Sequence, residues 1–143
     1  MNPPLPSTSW LPMPLRLRPG DDLRAALVAA VAAQGVGAAF VLAGIGSLSV
    51  TRLRLAGAEQ PVVLSGDVEI LSLSGSVAAA GGAHLHISTA DSGGKVLGGH
   101  VVPGCIVRTT AELLVALLPG WRFTREPDPA TGYPELVMQP VGT

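Results

Sequence analysis

The sequence predicts an α+β fold, a mostly antiparallel β-sheet flanked by two helices. Three observations carry this reading. The chain has 143 residues, enough for one sizeable core. Short apolar and β-branched runs recur along it, punctuated by Gly and Asp as in an antiparallel meander. Two segments carry helix start and stop signals, and no repeat or inter-domain linker separates any of these parts.

Residues 1–13 read as an extended, proline-rich lead-in. They lack the basic and continuously apolar regions of a signal peptide. A single domain is expected over 14–139, with 140–143 as a tail. "LRLRPG", 15–20, alternates apolar and basic residues before Pro19-Gly20, so it reads as an edge strand and turn. Asp21 or Asp22 can cap the helix in "DDLRAALVAAVAAQG", where acids also suit the helix dipole. Leu23, Ala26, Leu27, Ala30 and Val31 fall at helical spacing and would face the sheet.

Residues 25–46 carry no charge and match the length of a membrane span of about 20 residues. Ala and Gly dominate them, however, and Gln34-Gly35 interrupts them. A helix ending at Gly35 followed by a buried strand explains the pattern better. Strands are then expected over 37–55, 61–64, 67–76, 82–90, 95–102 and 105–109. "TAELLVALLPG", 110–120, has a Thr cap, an early Glu and a terminal Pro-Gly, which predict the second helix. Two last strands, near 121–125 and 135–139, flank the turn-like "PDPATGYP".

Charged residues make up 13% of the chain, roughly half of ordinary usage. So little charge points to a surface partly hidden in an oligomer. Aromatics are 3%, so the core must be aliphatic. A net charge of −1 argues against electrostatic nucleic-acid binding. The lone Cys105 excludes an internal disulfide and reads as a small buried hydrophobe. Phosphate-binding loops, nucleophile elbows, dinucleotide fingerprints and plausibly ordered Ser/His/Asp sets are all missing.

All three histidines, His84, His86 and His100, lie within "GGAHLHISTADSGGKVLGGH", 81–100. On a strand, His84 and His86 share a face and Leu85 points away. "SGGK" is a good hairpin turn. If Asp91 pairs with Lys95, His86 falls opposite His100, with Cβ atoms about 4.5–5.5 Å apart. A slip of one residue would turn His100 to the other face, and a bulge at Gly98-Gly99 could alter either outcome. Three convergent imidazoles suit zinc or a similar divalent ion and leave one position open to water, a carboxylate or a substrate. The competing reading is a hydrogen-bonded sheet face or a subunit contact. Glu69 and Glu112 are candidates for a ligand-binding or supporting role beside the metal, against plainer roles as a strand acid and a helix first-turn acid. Asp67 and Asp91 look like turn residues. Arg16, Arg18, Arg52 and Arg54 could meet an anionic ligand or DNA phosphates, or form a solvated sheet face.

"GVGAAFVLAGIGSLSVTRLRL", "VEILSLSGSV", "HLHISTADSGGKVLGGHVVPG" and "TAELLVAL" follow one another in the order and spacing of the plants-and-prokaryotes conserved domain. The chain resembles that family over about residues 14–139. The family also includes the domain of plant AT-hook nuclear proteins. The resemblance implies an antiparallel sheet with flanking helices, a homotrimer, and a metal site at His84, His86 and His100. No R-G-R-P core is present, so the AT-hook role in DNA contact does not carry over.

The expected function is therefore a cytoplasmic, trimeric, metal-binding domain, zinc being the expected ion, with a small ligand or a protein as partner and no membrane association. A DNA-binding regulator is one alternative. A metal-dependent hydrolase or lyase is another, although nothing in the sequence identifies a catalytic residue.

Overall fold

The structure is a computed structural model describing residues 9–142. Helix α1, Leu23–Ala32, begins where the sequence predicts. Asp22 is its N-cap, extended at φ −74° and ψ 119°, and its Oδ1 accepts from the Ala25 N–H at 2.9 Å. Its Oδ2 accepts from the Gly104 N–H at 2.7 Å, tying the helix start to a distant loop. Leu23, Leu27 and Val31, spaced by four, are fully buried against the sheet. Burying each stabilises the fold by about 2 kcal/mol.

Eight strands follow the alternation of the sequence: β1 Leu11–Leu17, β2 Ala38–Arg54, β3 Val62–Ala78, β4 Gly82–Asp91, β5 Val96–Val101, β6 Ile106–Leu117, β7 Trp121–Pro127 and β8 Pro134–Pro140. Six form one antiparallel sheet in the order β1-β6-β2-β3-β4-β5. The long β2 also pairs at its end with β5, Leu53 with Val101 and Arg54 with His100. That contact folds the β5 edge back onto β2. At the other edge, β1 carries Pro12 and Pro14 and pairs with β6 along its whole length. The core lies between α1 and the sheet and includes Val41, Leu48, Leu53, Leu73, Leu85, Val101 and Val115. β7 and β8 form a separate hairpin. Phe123 anchors it against Ala38 and Ala78, with Trp121 and Leu136 packed around them.

The second helix expected over 110–120 is not formed, because 106–117 is strand β6. Ala111, Leu113 and Val115 are buried while Glu112 and Leu114 are exposed, which is period-two alternation. Leu at both an inward and an outward position hides that period and imitates a helix stripe. Pairing with β1 and β2 on both sides overrides the helical propensity. The runs 61–64 and 67–76 merge into β3, so Asp67 lies within a strand and pairs with Arg108 at 3.0 Å. The uncharged run 25–46 divides between α1 and β2. Among the described residues no helix is long and apolar enough to cross a membrane. Residues 1–8 of the expected lead-in lie outside the described residues, and residues 11–13 belong to β1.

The sheet face away from α1 is apolar too. Phe40, Leu42 and Ile45 on β2, Leu71 on β3 and Leu114 on β6 are exposed, Ile45 by 57%.

Candidate metal centre

The site begins with a turn. The Asp91 N–H donates to the Lys95 carbonyl at 3.0 Å, the pairing on which the histidine register depends. The Asp91 carboxylate organises the loop, since its Oδ1 accepts from the N–H groups of Gly93 and Lys95, both at 2.9 Å. From this turn the ladder runs without a bulge through Ser88–Gly98 and Ile87–Gly99 to His86–His100. Glycines at 98 and 99 suit the crowding there. A Cβ on Gly98 would lie 2.7 Å from the Ile87 carbonyl oxygen, and one on Gly99 would lie 3.0 Å from that of Arg54.

β4 alternates as its sequence predicts: Ala83, Leu85 and Ile87 are buried, His84 and His86 exposed. On its other side it pairs with β3, placing Ser76 opposite His84 and Ser74 opposite His86. Gly75, at φ +149°, lies between these serines and faces Leu85. A Cβ there would run into the His84 carbonyl oxygen, so glycine is what lets β3 approach the histidine strand.

The three imidazoles converge. One ring nitrogen from each of His84, His86 and His100 lies within 4.8 Å of the others. The Nε2 atoms of His84 and His86 are 3.2 Å apart. Two nitrogens bound to one tetrahedral zinc, each at about 2.05 Å, stand about 3.3 Å apart. The spacing fits a shared ion, and the donor set, three imidazoles with room for a fourth ligand, is a common one for zinc.

Electrostatics keep these rings ready to bind. Burial pushes His100 down to about 4, aided by Arg54, His84, His86 and Arg24. Partial desolvation of the His84 ring by its neighbours lowers it too, although the residue is exposed overall, with help from His86 and Arg125 and against an opposing pull from Glu135. Both rings therefore present free lone pairs at neutral pH, and a metal need displace no proton from them.

An open cavity of about 920 Å³ adjoins the triad. His84 and His100 line it with Arg54, Glu59, Arg125 and Glu135. Of the four strand arginines singled out in the sequence, only Arg54 lines this cavity. Arg16 donates to Thr110 and Arg52 to the Pro103 carbonyl, while Arg18 is exposed. Glu69 is exposed on β3 opposite Ala90, four residues along β4 from His86, or about 13 Å. Glu112 is exposed on β6 between Arg16 and Ile45. Neither belongs to the cluster within this chain. Arg125 and Glu135 escaped sequence reading because they come from the β7–β8 hairpin, whose docking no local periodicity reports. Cys105 is buried as expected, its thiol donating to the Arg52 carbonyl at 3.2 Å.

Comparison with known proteins agrees with the fold. A family model described as the Plants and Prokaryotes Conserved (PCC) domain matches residues 7–119. A bifunctional protein GlmU from Synechococcus sp. (strain JA-2-3B'a(2-13)) is 49% identical over 138 residues, covering 96% of this chain. The chain spans only 22% of that protein's length. Among solved structures, a hypothetical protein from Salmonella cholerae-suis superposes with a TM-score of 0.90 at 38% identity, covering 96% of this chain and 99% of that one. A metal-containing protein from Archaeoglobus fulgidus superposes with a TM-score of 0.78 at 25% identity, covering 95% and 99%.

Proposed function

The chain belongs to the Plants and Prokaryotes Conserved domain family, and from that premise we propose that it is a divalent-metal-binding module, zinc being the ion its donors suit best. The observation that carries this reading is the convergence of three ring nitrogens within 4.8 Å. His84, His86 and His100 would hold the ion. When bound, it would supply a Lewis acid with a position open to an exchangeable ligand. The chain's own residues fix the geometry: Asp91 sets the register, Gly75 admits β3, and desolvation holds His84 and His100 deprotonated.

The module further acts as a homotrimer in this reading. The exposed apolar face of β2, β3 and β6 supports self-association, since a large apolar patch favours burial against a partner.

Metal analysis of untagged protein after zinc loading and dialysis tests the main proposal. One equivalent of zinc per chain is expected, falling below about one-tenth in a His84→Ala, His86→Ala double variant. Less than one-tenth of an equivalent in the unaltered protein overturns it.

A further inference from the structure

The wall beside the triad has its own chemistry. Arg54 is the cross-strand partner of His100, so both side chains leave the ladder on one face. Arg125 reaches the same cavity from β7, where its Nη2 donates to Ser76 Oγ at 3.0 Å. Ser76 is in turn the partner of His84. One arginine therefore stands beside each of two proposed metal ligands, supplied by different elements. Both are half-buried. Among the described residues the one ion pair is Arg108–Asp67, so neither guanidinium has a carboxylate within 4.0 Å. Two acids, Glu59 and Glu135, share the wall, and Glu135 accepts from Thr131 Oγ1 at 2.9 Å.

The charge count points one way. Two arginines offset two glutamates, and imidazoles that hold a metal do so in their neutral form. A dication on the triad would thus be left with its double positive charge uncompensated. Two forked guanidinium groups line the cavity that His84 and His100 also line, and guanidinium is the cation best matched to carboxylate and phosphate oxygens.

We infer that Arg54 and Arg125 form an anion clamp beside the histidine triad, selecting a small carboxylate- or phosphate-bearing ligand whose oxygen takes the metal's open position. This inference rests on the metal reading and specifies its ligand class. The cavity, at about 920 Å³, accommodates a molecule of metabolite size. The clamp spans two parts of the fold: Arg54 belongs to the β2–β5 closure, whereas Arg125 lies beyond residue 119, where the family-model match ends. Docking of the β7–β8 hairpin through Phe123 thereby becomes part of ligand selection.

The test uses cobalt(II), whose visible bands report the metal's ligands. Cobalt is titrated into the protein first. Inorganic phosphate and malonate are then added in separate arms. Cobalt should bind stoichiometrically, and at least one anion should change the bands saturably in the millimolar range or below. The responding arm identifies the oxygen source. Arg54→Gln and Arg125→Gln should each weaken that anion at least tenfold while cobalt affinity stays within threefold. Arg125→Gln also loses the Ser76 contact, so Arg54→Gln, checked for unchanged melting, is the decisive variant. Loss of cobalt binding in the unaltered protein overturns both the metal reading and the clamp. Tight cobalt binding with no response to either anion at 10 mM overturns the clamp alone. So does an Arg54→Gln protein that binds the responding anion as tightly as the unaltered one.

Discussion

Arg54 on β2 stands directly across the ladder from His100 on β5, which itself stands across from His86 on β4. A guanidinium, two imidazoles and Ser74 thus form one row over four strands. The row has a titration consequence.

Burial first, and Arg54 second, hold His100 down to about 4 from an ordinary 6.5. The metal-free chain should show a His100 ring resonance titrating near pH 4, measured by NMR. The folded value is depressed, so His100 contributes stability above pH 6.5 that is lost as pH falls towards 4. Melting temperature of the metal-free chain should rise as pH is raised from about 4 to 6.5. A midpoint at 6.5 or above would contradict the arrangement.

Asp91 should control the site from a distance. Asp91→Ala removes the acceptor used by the Gly93 and Lys95 N–H groups and should cost about 1–2 kcal/mol. With the turn loosened, His100 no longer holds its register with His86. Zinc affinity should drop about tenfold, as for partners that orient metal ligands. Competition against a chromophoric chelator measures it.

Gly75 and Gly57 separate two effects usually confounded. Gly57→Ala meets open space at φ +69° and should lose about 1 kcal/mol. Gly75→Ala combines an unfavourable φ with a backbone collision and should lose about 2–4 kcal/mol. Urea unfolding of both variants would check the order. Equal losses would mean that the β3–β4 approach is not tight.

The apolar sheet face should govern assembly. Leu42→Lys with Ile45→Lys places two charges on side chains that are 51% and 57% exposed in the single chain. The double variant should remain folded and elute as a monomer, while the unaltered protein has the mass of three chains by light scattering. A variant that still forms trimers would move the interface elsewhere.

The histidine register was legible because each step was local: alternation on β4, a glycine turn closed by Asp91, and counting along β5. The helix cap at Asp22 was legible for the same reason. Residues 110–117 were not. Leu114 is apolar although it points outward, so the inward-apolar, outward-polar alternation of a strand is broken there and the run imitates a helix stripe. Arg125 was hidden because its place depends on Phe123 seating a hairpin against Ala38 and Ala78, contacts that span 45 residues or more. Glu69 and Glu112 sit on the outer sheet surface, where sequence cannot tell a solvated acid from one aimed at a site.

Pro12 and Pro14 give β1 a further significance. A proline fits a paired edge strand only where its missing N–H would have faced away from its neighbour. The outer rim of β1 therefore lacks two hydrogen-bond donors along Leu11–Leu17, while β5 is folded back onto β2. Neither border of the sheet is a good template for endless strand-by-strand growth. Strand-by-strand addition, the usual route from a sheet to a fibre, is therefore blocked at both ends by features built into the chain itself.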